Sequence, residues 1–417
     1  MRNMPVIPNI IHIPKQVLEL TDDNGREEKL QVYREEEDGN EYLFAEQNTD
    51  TLMRLHWIYD EIPLTTDERD YRTANNIIKE NISGIMLLFT QNEVGVAGGY
   101  VKLASIFKPN QVKNWFIFAG GSEVTHEMAY SLFTDTIGLP TSIYSDFLED
   151  ELMTAKTKYV VKAKLRDWSD YLKDALKANG IYRIVRDMED MEAYEKNYNG
   201  IWGFVFRPFK KSPEVVRELY TDAVLSAWSE YRRAIARMLA IYGGGTEAIS
   251  LFAQFAMLNR YPLEGMFQGL GEVNQYSIRE EYKHFMGNAE VFRKFISENP
   301  DIWDDELKSE IYQAIRDIVD YEEKMVRKLK HPYITDEEAI NYIHYQADAV
   351  LKEFGMKPNW NQTTHTFQYM EEITSIVVAD FFNRNVTQYA KRINGSKAEL
   401  REKYRLRKLE RGASTSA

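Results

Sequence analysis

The 417-residue chain contains no cysteine. This absence excludes disulfide bonds, zinc–thiolate sites and thiol catalysis within the chain. Any metal ion must be held by carboxylate and imidazole side chains, which favour iron or manganese over metals that prefer sulfur ligands. Because 44% of the residues are hydrophobic, the chain can still build a substantial core without covalent cross-links.

Acidic residues outnumber basic ones, 65 to 52, and the chain has no long apolar run. The formal net charge is −13 and the isoelectric point is near 5.2, which argues against a nucleic-acid surface because such surfaces are basic. The chain contains no run of about 18 apolar residues, so no transmembrane helix is predicted. Residues 1–16 lack the apolar segment of a secretion signal. We therefore expect a cytoplasmic protein with a protein partner, and no direct contact with nucleic acid or membrane.

From Asp70 onward the hydrophobic residues recur with the period of a helix, and this predicts an all-α fold. Ser212, Pro213 and Glu214 have the residue types of a helix start. The predicted helices cover about residues 73–103, 109–135, 143–178, 214–241, 246–259, 264–295, 303–328, 335–354 and 364–378.

Three consecutive glycines, at positions 243–245, interrupt this pattern. Each glycine costs about 1 kcal/mol inside a regular helix, so we predict a break or a distortion here. The interruption either gives the nearby Glu247 carboxylate room to move or is simply a loop between two helices.

The composition divides the chain into three regions. Residues 1–50 are predicted to form an N-terminal arm or hairpin, because the alternating segments LQVYR and EYLFAE flank Gly39. Residues 51–390 carry the helical domain. The basic tail, residues 391–417, is predicted to be a fraying helix that could dock on a partner.

Two Glu-x-x-His motifs are the main chemical signal: Glu123 with His126, and Glu281 with His284. Positions i and i+3 share one helix face, so each motif presents a carboxylate and an imidazole to the same point. A lone glutamate in an apolar stretch precedes each motif, and such a carboxylate is costly to bury without a partner. These lone residues are Glu93 and Glu247.

The spacing of these residues is nearly matched. Glu93 precedes Glu123 by 30 positions, and Glu247 precedes Glu281 by 34. If Glu93 and Glu123 lie on two antiparallel helices, each is about 15 residues, or roughly 22 Å at 1.5 Å rise per residue, from the turn, and the two carboxylates come level. The same reasoning puts Glu247 level with Glu281, so the chain is predicted to form two helical hairpins. The six residues together predict a dinuclear metal site in a four-helix bundle.

Tyr130 links this predicted site to a function. It lies four residues after His126 and seven after Glu123, on the same helix face. A tyrosine at this position is usually a packing residue. Beside an oxygen-activating metal pair, however, a phenol can be oxidised to a stable radical.

With these residues the chain resembles the small, radical-generating subunit of class I ribonucleotide reductases, in the ferritin-like superfamily. The resemblance extends from LHWIYDEIPLTTDERDY through GSEVTHEMAYSLFTDTIGLP, TEAISLFAQFAML and REEYKH to FFNRNVTQY, about three quarters of the chain. It implies a ferritin-like bundle over residues 51–390, with residues 161–216 as an insertion.

Residue by residue, the resemblance implies a metal site, a radical site and a radical-transfer path. The implied metal ligands are Glu93, Glu123, His126, Glu247, Glu281 and His284. Tyr130 is the implied radical site, and the implied radical-transfer residues are Trp57, Glu280 and Tyr389.

The resemblance also implies a mechanism and partners. A centre of two iron ions, two manganese ions or one of each reacts with an oxygen species to give a tyrosyl or metal-centred oxidant. The oxidant is passed to a large catalytic subunit, which reduces ribonucleotides to deoxyribonucleotides, and the small subunit forms a homodimer. Glu93 occupies a position where many members have Asp. A Glu at this position resembles the pattern of members that use manganese, so the choice between iron and manganese stays open.

Other classes of protein use similar ligands. Another ferritin-like dimetal oxidase, such as a desaturase or hydroxylase, would act on a bound organic substrate and would not need Trp57 or Tyr389. A non-catalytic iron-binding protein would form no persistent oxidised centre. A helical scaffold with accidental carboxylates would bind no stoichiometric metal.

Overall fold

The structure, a computed structural model, describes residues 5–21, 41–162, 165–200 and 210–383, with the backbone alone at 90–95, 161–162 and 376–383. Within these ranges there are fifteen α-helices and no β-strand. The α-helices before residue 200 are α1 Lys15–Leu18, α2 Leu43–Leu55, α3 Thr65–Thr73, α4 Asn76–Ile106, α5 Asn110–Thr136, α6 Ile143–Asp146, α7 Glu151–Lys162, α8 Trp168–Ala178 and α9 Met188–Asn199. The later α-helices are α10 Pro213–Ala240, α11 Phe252–Leu263, α12 Gln268–Glu298, α13 Asp305–Lys328, α14 Asp336–Glu353 and α15 Gln368–Asn383.

The first predicted helical hairpin, which carries Glu93 and Glu123, is confirmed. Helix α4 ends at Ile106 and α5 begins at Asn110, and the two pack along their length. Lys108, at the middle of the turn, is 15 residues from both Glu93 and Glu123. At 1.5 Å per residue this places the two positions level across the hairpin.

The second hairpin carries the predicted distortion. A π-helix, Ile241–Ser250, lies between α10 and α11, and a short turn after Leu263 leads into α12. Helix α12 packs against α5, the π-helix and α11. The interpretation of residues 243–245 as a loop between helices is therefore wrong, whereas the predicted distortion is confirmed.

The three glycines of the π-helix lie where the backbone packs against neighbouring side chains. A Cβ atom added at Gly243 would lie 2.6 Å from Asn288 Cβ, and one at Gly245 would lie 2.3 Å from Ile318 Cδ1. Any larger residue would push the π-helix away from α12 and α13. The glycines therefore allow a close approach that holds the Glu247 segment inside the bundle.

Several helix predictions need correction. The helix predicted over residues 143–178 is divided into α6, α7 and α8. Asp150 Oδ1 accepts hydrogen bonds from the backbone N–H groups of Leu152 and Met153, both at 3.1 Å, and so caps a new helix. The segment after Gly180, which broke the predicted pattern, contains α9. At Ser212 the prediction is confirmed, because its side chain accepts from Val215 N at the start of α10.

The predicted hairpin within residues 1–50 is wrong in its second half. The segment EYLFAE enters helix α2, which buries Ala45, Asn48, Thr49 and Leu52 on one face. Alternation over six residues is too short to distinguish a strand from the start of an amphipathic helix. The first half, LQVYR, lies outside the described residues.

Candidate metal centre

The two Glu-x-x-His motifs face each other in the middle of the bundle. Glu123 and His126 project from α5, and Glu281 and His284 project from α12. Glu247 reaches the same point from the π-helix. All five side chains are at most 1% exposed. The position of Glu93 is on α4, but its side chain lies outside the described residues.

His284 contacts the carboxylates of three different helices through Nδ1. This atom lies 2.9 Å from Glu123 Oε1, 3.1 Å from Glu281 Oε2 and 3.6 Å from Glu247 Oε2. One ligand atom from each of these four residues can be chosen so that all four lie within 4.8 Å of one another. Such a group can hold a cation.

His126 repeats this arrangement on the other side of the shared carboxylates. Its Nδ1 lies 2.9 Å from Glu281 Oε1 and 3.3 Å from Glu123 Oε2. Glu123 and Glu281 therefore each extend one oxygen toward His284 and the other toward His126. Carboxylates placed between two imidazoles in this way would suit a pair of metal ions.

The Nε2 atoms of both imidazoles point away from this cluster, toward hydrogen-bond acceptors. His126 Nε2 lies 2.8 Å from Glu280 Oε2, and His284 Nε2 lies 2.8 Å from Ser122 Oγ. The Ser122 hydroxyl donates to Ala119 O, so its oxygen accepts from His284. A proton on Nε2 leaves Nδ1 free to bind a metal, as is usual for a ligating histidine.

Electrostatics around the cluster favour a bound cation. Burial raises the pKa of Glu247 well above its ordinary value, and repulsion by the Glu281 and Glu123 carboxylates adds to this increase. Burial alone would lower the pKa of His126, but Glu281, Glu123 and Glu280 outweigh it and raise this pKa well above its ordinary value. The three buried carboxylates thus require positive charge beside them.

The donor set fits a pair of hard metal ions. Glu123 Oε1 and Glu281 Oε1 are buried and have no partner of hydrogen-bond geometry among the described residues. Yet each lies 2.9 Å from an imidazole nitrogen, as expected of atoms that share a cation. Carboxylate oxygen and imidazole nitrogen together suit iron or manganese.

Tyr130 is fully buried on α5, one helical turn beyond His126. Its hydroxyl donates to Asn274 Oδ1 of α12 at 3.2 Å, and its ring packs edge-on against Phe89 at 4.9 Å between centroids. Asn274 in turn donates to Phe255 O at 3.0 Å. The sequence interpretation did not include this asparagine.

Trp57 lies beside the cluster, stacked on His126. Their ring centroids are 6.3 Å apart with an interplanar angle of 25°. The half-buried Tyr276 also stacks on Trp57, at 5.6 Å and 26°. Glu280, paired with His126, has its second oxygen 3.5 Å from His56 Nδ1. The contacts of His56 and Tyr276 were not predicted from the sequence.

Tyr100 is a further residue that the sequence interpretation missed. It is buried on α4, and its hydroxyl donates to Glu247 Oε1 at 2.6 Å. Burial, together with the Glu247 and Glu123 carboxylates, raises the pKa of Tyr100 well above its ordinary value, so the phenol keeps its proton. The sequence contains a signal that points to Tyr100: it follows Glu93 by seven residues, the same spacing by which Tyr130 follows Glu123.

Three sequence predictions lie outside the described residues. These are the radical-transfer role of Tyr389, the basic tail over residues 391–417 and the aromatic part of the predicted insertion, residues 201–209. The division of the chain into arm, bundle and tail stays a prediction. Within the described ranges, no helix is both long enough and apolar enough to cross a membrane.

The fold and the site together define the class of this protein: it is a ferritin-like helical bundle with a buried carboxylate–histidine cluster. The family model for the small chain of ribonucleotide reductase matches residues 40–199 and 206–367. The chain belongs to this family. It is accordingly a small subunit of ribonucleotide reductase, an oxidoreductase of deoxyribonucleotide biosynthesis.

Individual relatives are distant in sequence. A probable ribonucleoside-diphosphate reductase small subunit of Invertebrate iridescent virus 6 is 25% identical, over 82% of this chain and 89% of the viral protein. The ribonucleoside-diphosphate reductase subunit beta of Chlamydia pneumoniae is 27% identical, over 34% of this chain and 42% of that protein.

Solved structures show the same fold. A putative class I ribonucleotide reductase from Bacillus halodurans has a TM-score of 0.61 at 14% identity, covering 79% of this chain and 99% of that one. The dimanganese(II)-NrdF of Streptococcus sanguinis has a TM-score of 0.56 at 15% identity, covering 84% and 99%. The expected ferritin-like fold is therefore confirmed.

Proposed function

We propose that this chain is the radical-generating subunit of a class I ribonucleotide reductase and holds two metal ions in the cluster described above. The observation that carries the proposal is the arrangement of Glu123 and Glu281, each of which extends its two oxygens toward the Nδ1 atoms of two different histidines. The proposed ligands are Glu93, Glu123, His126, Glu247, Glu281 and His284.

The protein side chains bind and orient the ions. Glu123 and Glu281 would hold the ions together with His126 and His284, and Glu280 and Ser122 would orient the two imidazoles through Nε2. When bound, the metal pair supplies the one-electron oxidising power that these side chains lack. Burial of the five described ligand side chains excludes water, so an oxidised centre is protected from side reactions.

We assign the storage of the oxidising equivalent to Tyr130 or to the metal pair itself. Its transfer runs through Trp57, whose ring stacks on the proposed ligand His126. The contact of Glu280 with His126 supports its place on the same path. Tyr389 is proposed as the last residue of the path in this chain.

The proposed partner is a large catalytic subunit. Ribonucleotide reduction in this scheme needs thiols, and this chain has no cysteine, so the thiol chemistry belongs to the partner. The viral and chlamydial relatives are named as subunits of ribonucleoside-diphosphate reductases, and this supports a diphosphate substrate.

The metal is iron, manganese or one ion of each. Glu93, where many members have Asp, and the name of the dimanganese neighbour from Streptococcus sanguinis both support manganese. The oxygen and nitrogen donors suit either metal. Reconstitution with iron, with manganese and with both together, followed by metal analysis and activity, decides among the three.

We also propose that the chain forms a homodimer. An apolar stripe on the outer face of α5 supports this, because Ile117, Val124 and Met128 are 61%, 45% and 41% exposed. Gly121, between them, has no atom within 4 Å of a Cβ built on it. A second copy of the chain packed on this stripe would remove it from water.

The deciding experiment combines the reconstituted protein with the large subunit from the same source. The wild type should reduce ribonucleotides, whereas Tyr389→Phe and Trp57→Phe should lower turnover at least 100-fold with unchanged metal content. Tyr333→Phe, which alters an exposed tyrosine elsewhere, is the control and should have no effect.

Each alternative class predicts a different result. Unimpaired turnover by the Tyr389 variant would overturn the radical-transfer path. A persistent oxidised centre without any ribonucleotide reduction would indicate a different dimetal oxidase. Stoichiometric iron with no persistent oxidised centre in electron paramagnetic resonance (EPR) spectra would indicate iron storage.

A further inference from the structure

Two buried tyrosines flank the cluster at opposite ends. Tyr100 follows Glu93 by seven residues on α4, and Tyr130 follows Glu123 by seven residues on α5. Because α4 and α5 are antiparallel, the same offset places the two tyrosines on opposite sides of the cluster along the bundle axis.

Each tyrosine meets an asparagine of α12. Tyr130 contacts Asn274, seven residues before Glu281, and Tyr100 contacts Asn288, seven residues after it. The proposed function assigns a role to Tyr130 only. The contact that sets Tyr100 apart is its 2.6 Å hydrogen bond to the proposed metal ligand Glu247.

A chain of buried groups fixes the direction of this hydrogen bond. Trp115 Nε1 can only donate, and it lies 2.9 Å from Asn288 Oδ1, which orients the amide of Asn288. Asn288 Nδ2 therefore faces the Tyr100 hydroxyl, at 2.8 Å, and donates to it. The phenolic hydrogen is left to point at Glu247 Oε1.

This geometry has the parts that one-electron oxidation of a phenol requires. A phenol that loses an electron in a dry site must also lose its proton, and a carboxylate oxygen within hydrogen-bond distance can accept it. Tyr100 is 1% exposed, so water does not compete for the proton. Asn288 remains as a donor to the phenoxyl oxygen after the proton has left.

From this geometry we infer that Tyr100 is a second redox-active tyrosine of the centre. This inference rests on the proposed function, because the oxidant is the oxidised dimetal centre. The O–H bond of Tyr100 breaks, its proton passes to Glu247 Oε1 and one electron reduces the metal pair by one equivalent. The product is a neutral phenoxyl radical that accepts a hydrogen bond from Asn288, and the reverse transfer restores the phenol.

The test observes the radical by EPR spectroscopy, independently of nucleotide reduction. Wild-type, Tyr130→Phe and Tyr100→Phe/Tyr130→Phe proteins are loaded with iron(II) and exposed to dioxygen, or with manganese(II) and superoxide, and freeze-quenched. The Tyr130→Phe protein should give a tyrosyl signal that narrows when the protein contains ring-deuterated tyrosine. The double variant should lose at least nine tenths of this signal at equal metal content.

A control and a second variant separate oxidation from packing. Adding Tyr220→Phe, at a buried tyrosine away from the cluster, to the Tyr130→Phe protein should leave the signal unchanged. Adding Asn288→Ala instead keeps Tyr100 but removes the donor to its oxygen, and should raise the largest g-value of the radical in high-field spectra. If the double variant loses metal, its missing signal is not informative. The change in g-value that Asn288→Ala causes in the Tyr130→Phe protein then shows whether Tyr100 carries the radical.

The outcomes also separate this inference from the proposed function. Three results would overturn the role of Tyr100 alone. These are a signal of equal size in the double variant, a g-value that Asn288→Ala leaves unchanged, and an oxidised Tyr130→Phe centre without any tyrosyl signal. A wild-type protein that binds no metal overturns the proposed function, and this inference with it.

Discussion

For single residues, the orientation of the two imidazoles decides whether the cluster can hold metal. His126 and His284 both turn Nδ1 toward Glu123 and Glu281, and their Nε2 atoms bond to Glu280 and Ser122. A ring turned the other way would offer its protonated nitrogen to the metal. The groups behind the imidazoles are therefore as important as the proposed ligands.

Removal of Glu280 tests this dependence. The Glu280→Ala variant leaves His126 Nε2 without its acceptor, so the ring is less firmly oriented. We expect the affinity for manganese(II) or iron(II) to fall about 10- to 100-fold, as is typical when such a supporting carboxylate is lost. Competition with a chelator of known affinity measures this change.

A suitable control for this measurement lies on the same helix. Glu272→Ala removes an exposed glutamate of α12 and should leave metal affinity unchanged. If both variants bound metal like the wild type, Glu280 would not orient a metal ligand.

Among the helices, the level arrangement of the carboxylates in each of the two helical hairpins could be predicted, because the rise per residue fixes how far each side chain lies from its turn. The division of 143–178 could not, since it depends on Asp150 capping α7. The π-helix could not be predicted from the sequence, because it depends on tertiary packing: side chains of neighbouring helices leave no room for a Cβ atom at Gly243–Gly245. In the site, Tyr100 shares the seven-residue spacing of Tyr130, but its bond to Glu247 depends on how α4 packs against the π-helix.

A buried ion pair holds the end of the π-helix. Lys156 of α7 lies 2.6 Å from Glu322 Oε1 of α13 and donates to Ser250 O, the last residue of the π-helix, at 2.9 Å. Gln254 donates to the other Glu322 oxygen at 3.1 Å. Both charged side chains are at most 4% exposed, so each depends on its partner.

The Lys156→Met variant should lower the free energy of unfolding by about 3–5 kcal/mol, because it leaves the Glu322 carboxylate buried without a counter-charge. The Lys156→Met/Glu322→Gln double variant should recover most of this loss. Lys324→Met, which breaks an exposed pair with Asp320, should cost less than about 1 kcal/mol. Urea denaturation of the metal-free proteins measures the free energy of unfolding of all three variants. Equal losses in Lys156→Met and Lys156→Met/Glu322→Gln would show that the unpaired Glu322 charge is not the cause.

For the whole molecule, the apolar stripe of α5 lies on the helix that also carries Glu123, His126 and Tyr130. Ile117, Val124 and Met128 face outward, whereas the site residues face the core. One helix can therefore serve both the centre and the proposed dimer interface.

The Val124→Lys variant should weaken the homodimer, because it places a charge in the middle of the apolar stripe. We expect the dissociation constant to rise at least tenfold, about 1.4 kcal/mol, in sedimentation experiments. Leu148→Lys, at an exposed leucine outside α5, should leave the dimer intact. A wild-type chain that sediments as a monomer would contradict the proposed dimer without affecting the metal site.

The proposed function requires that this bundle holds two metal ions between its two Glu-x-x-His motifs. Crystals of protein loaded with manganese(II) or iron(II), measured at the absorption edge of the metal, test it most directly. We expect two anomalous peaks per chain, among the carboxylate oxygens of Glu123, Glu247 and Glu281 and the Nδ1 atoms of His126 and His284. No peak at this position, or a single ion bound elsewhere, would contradict it.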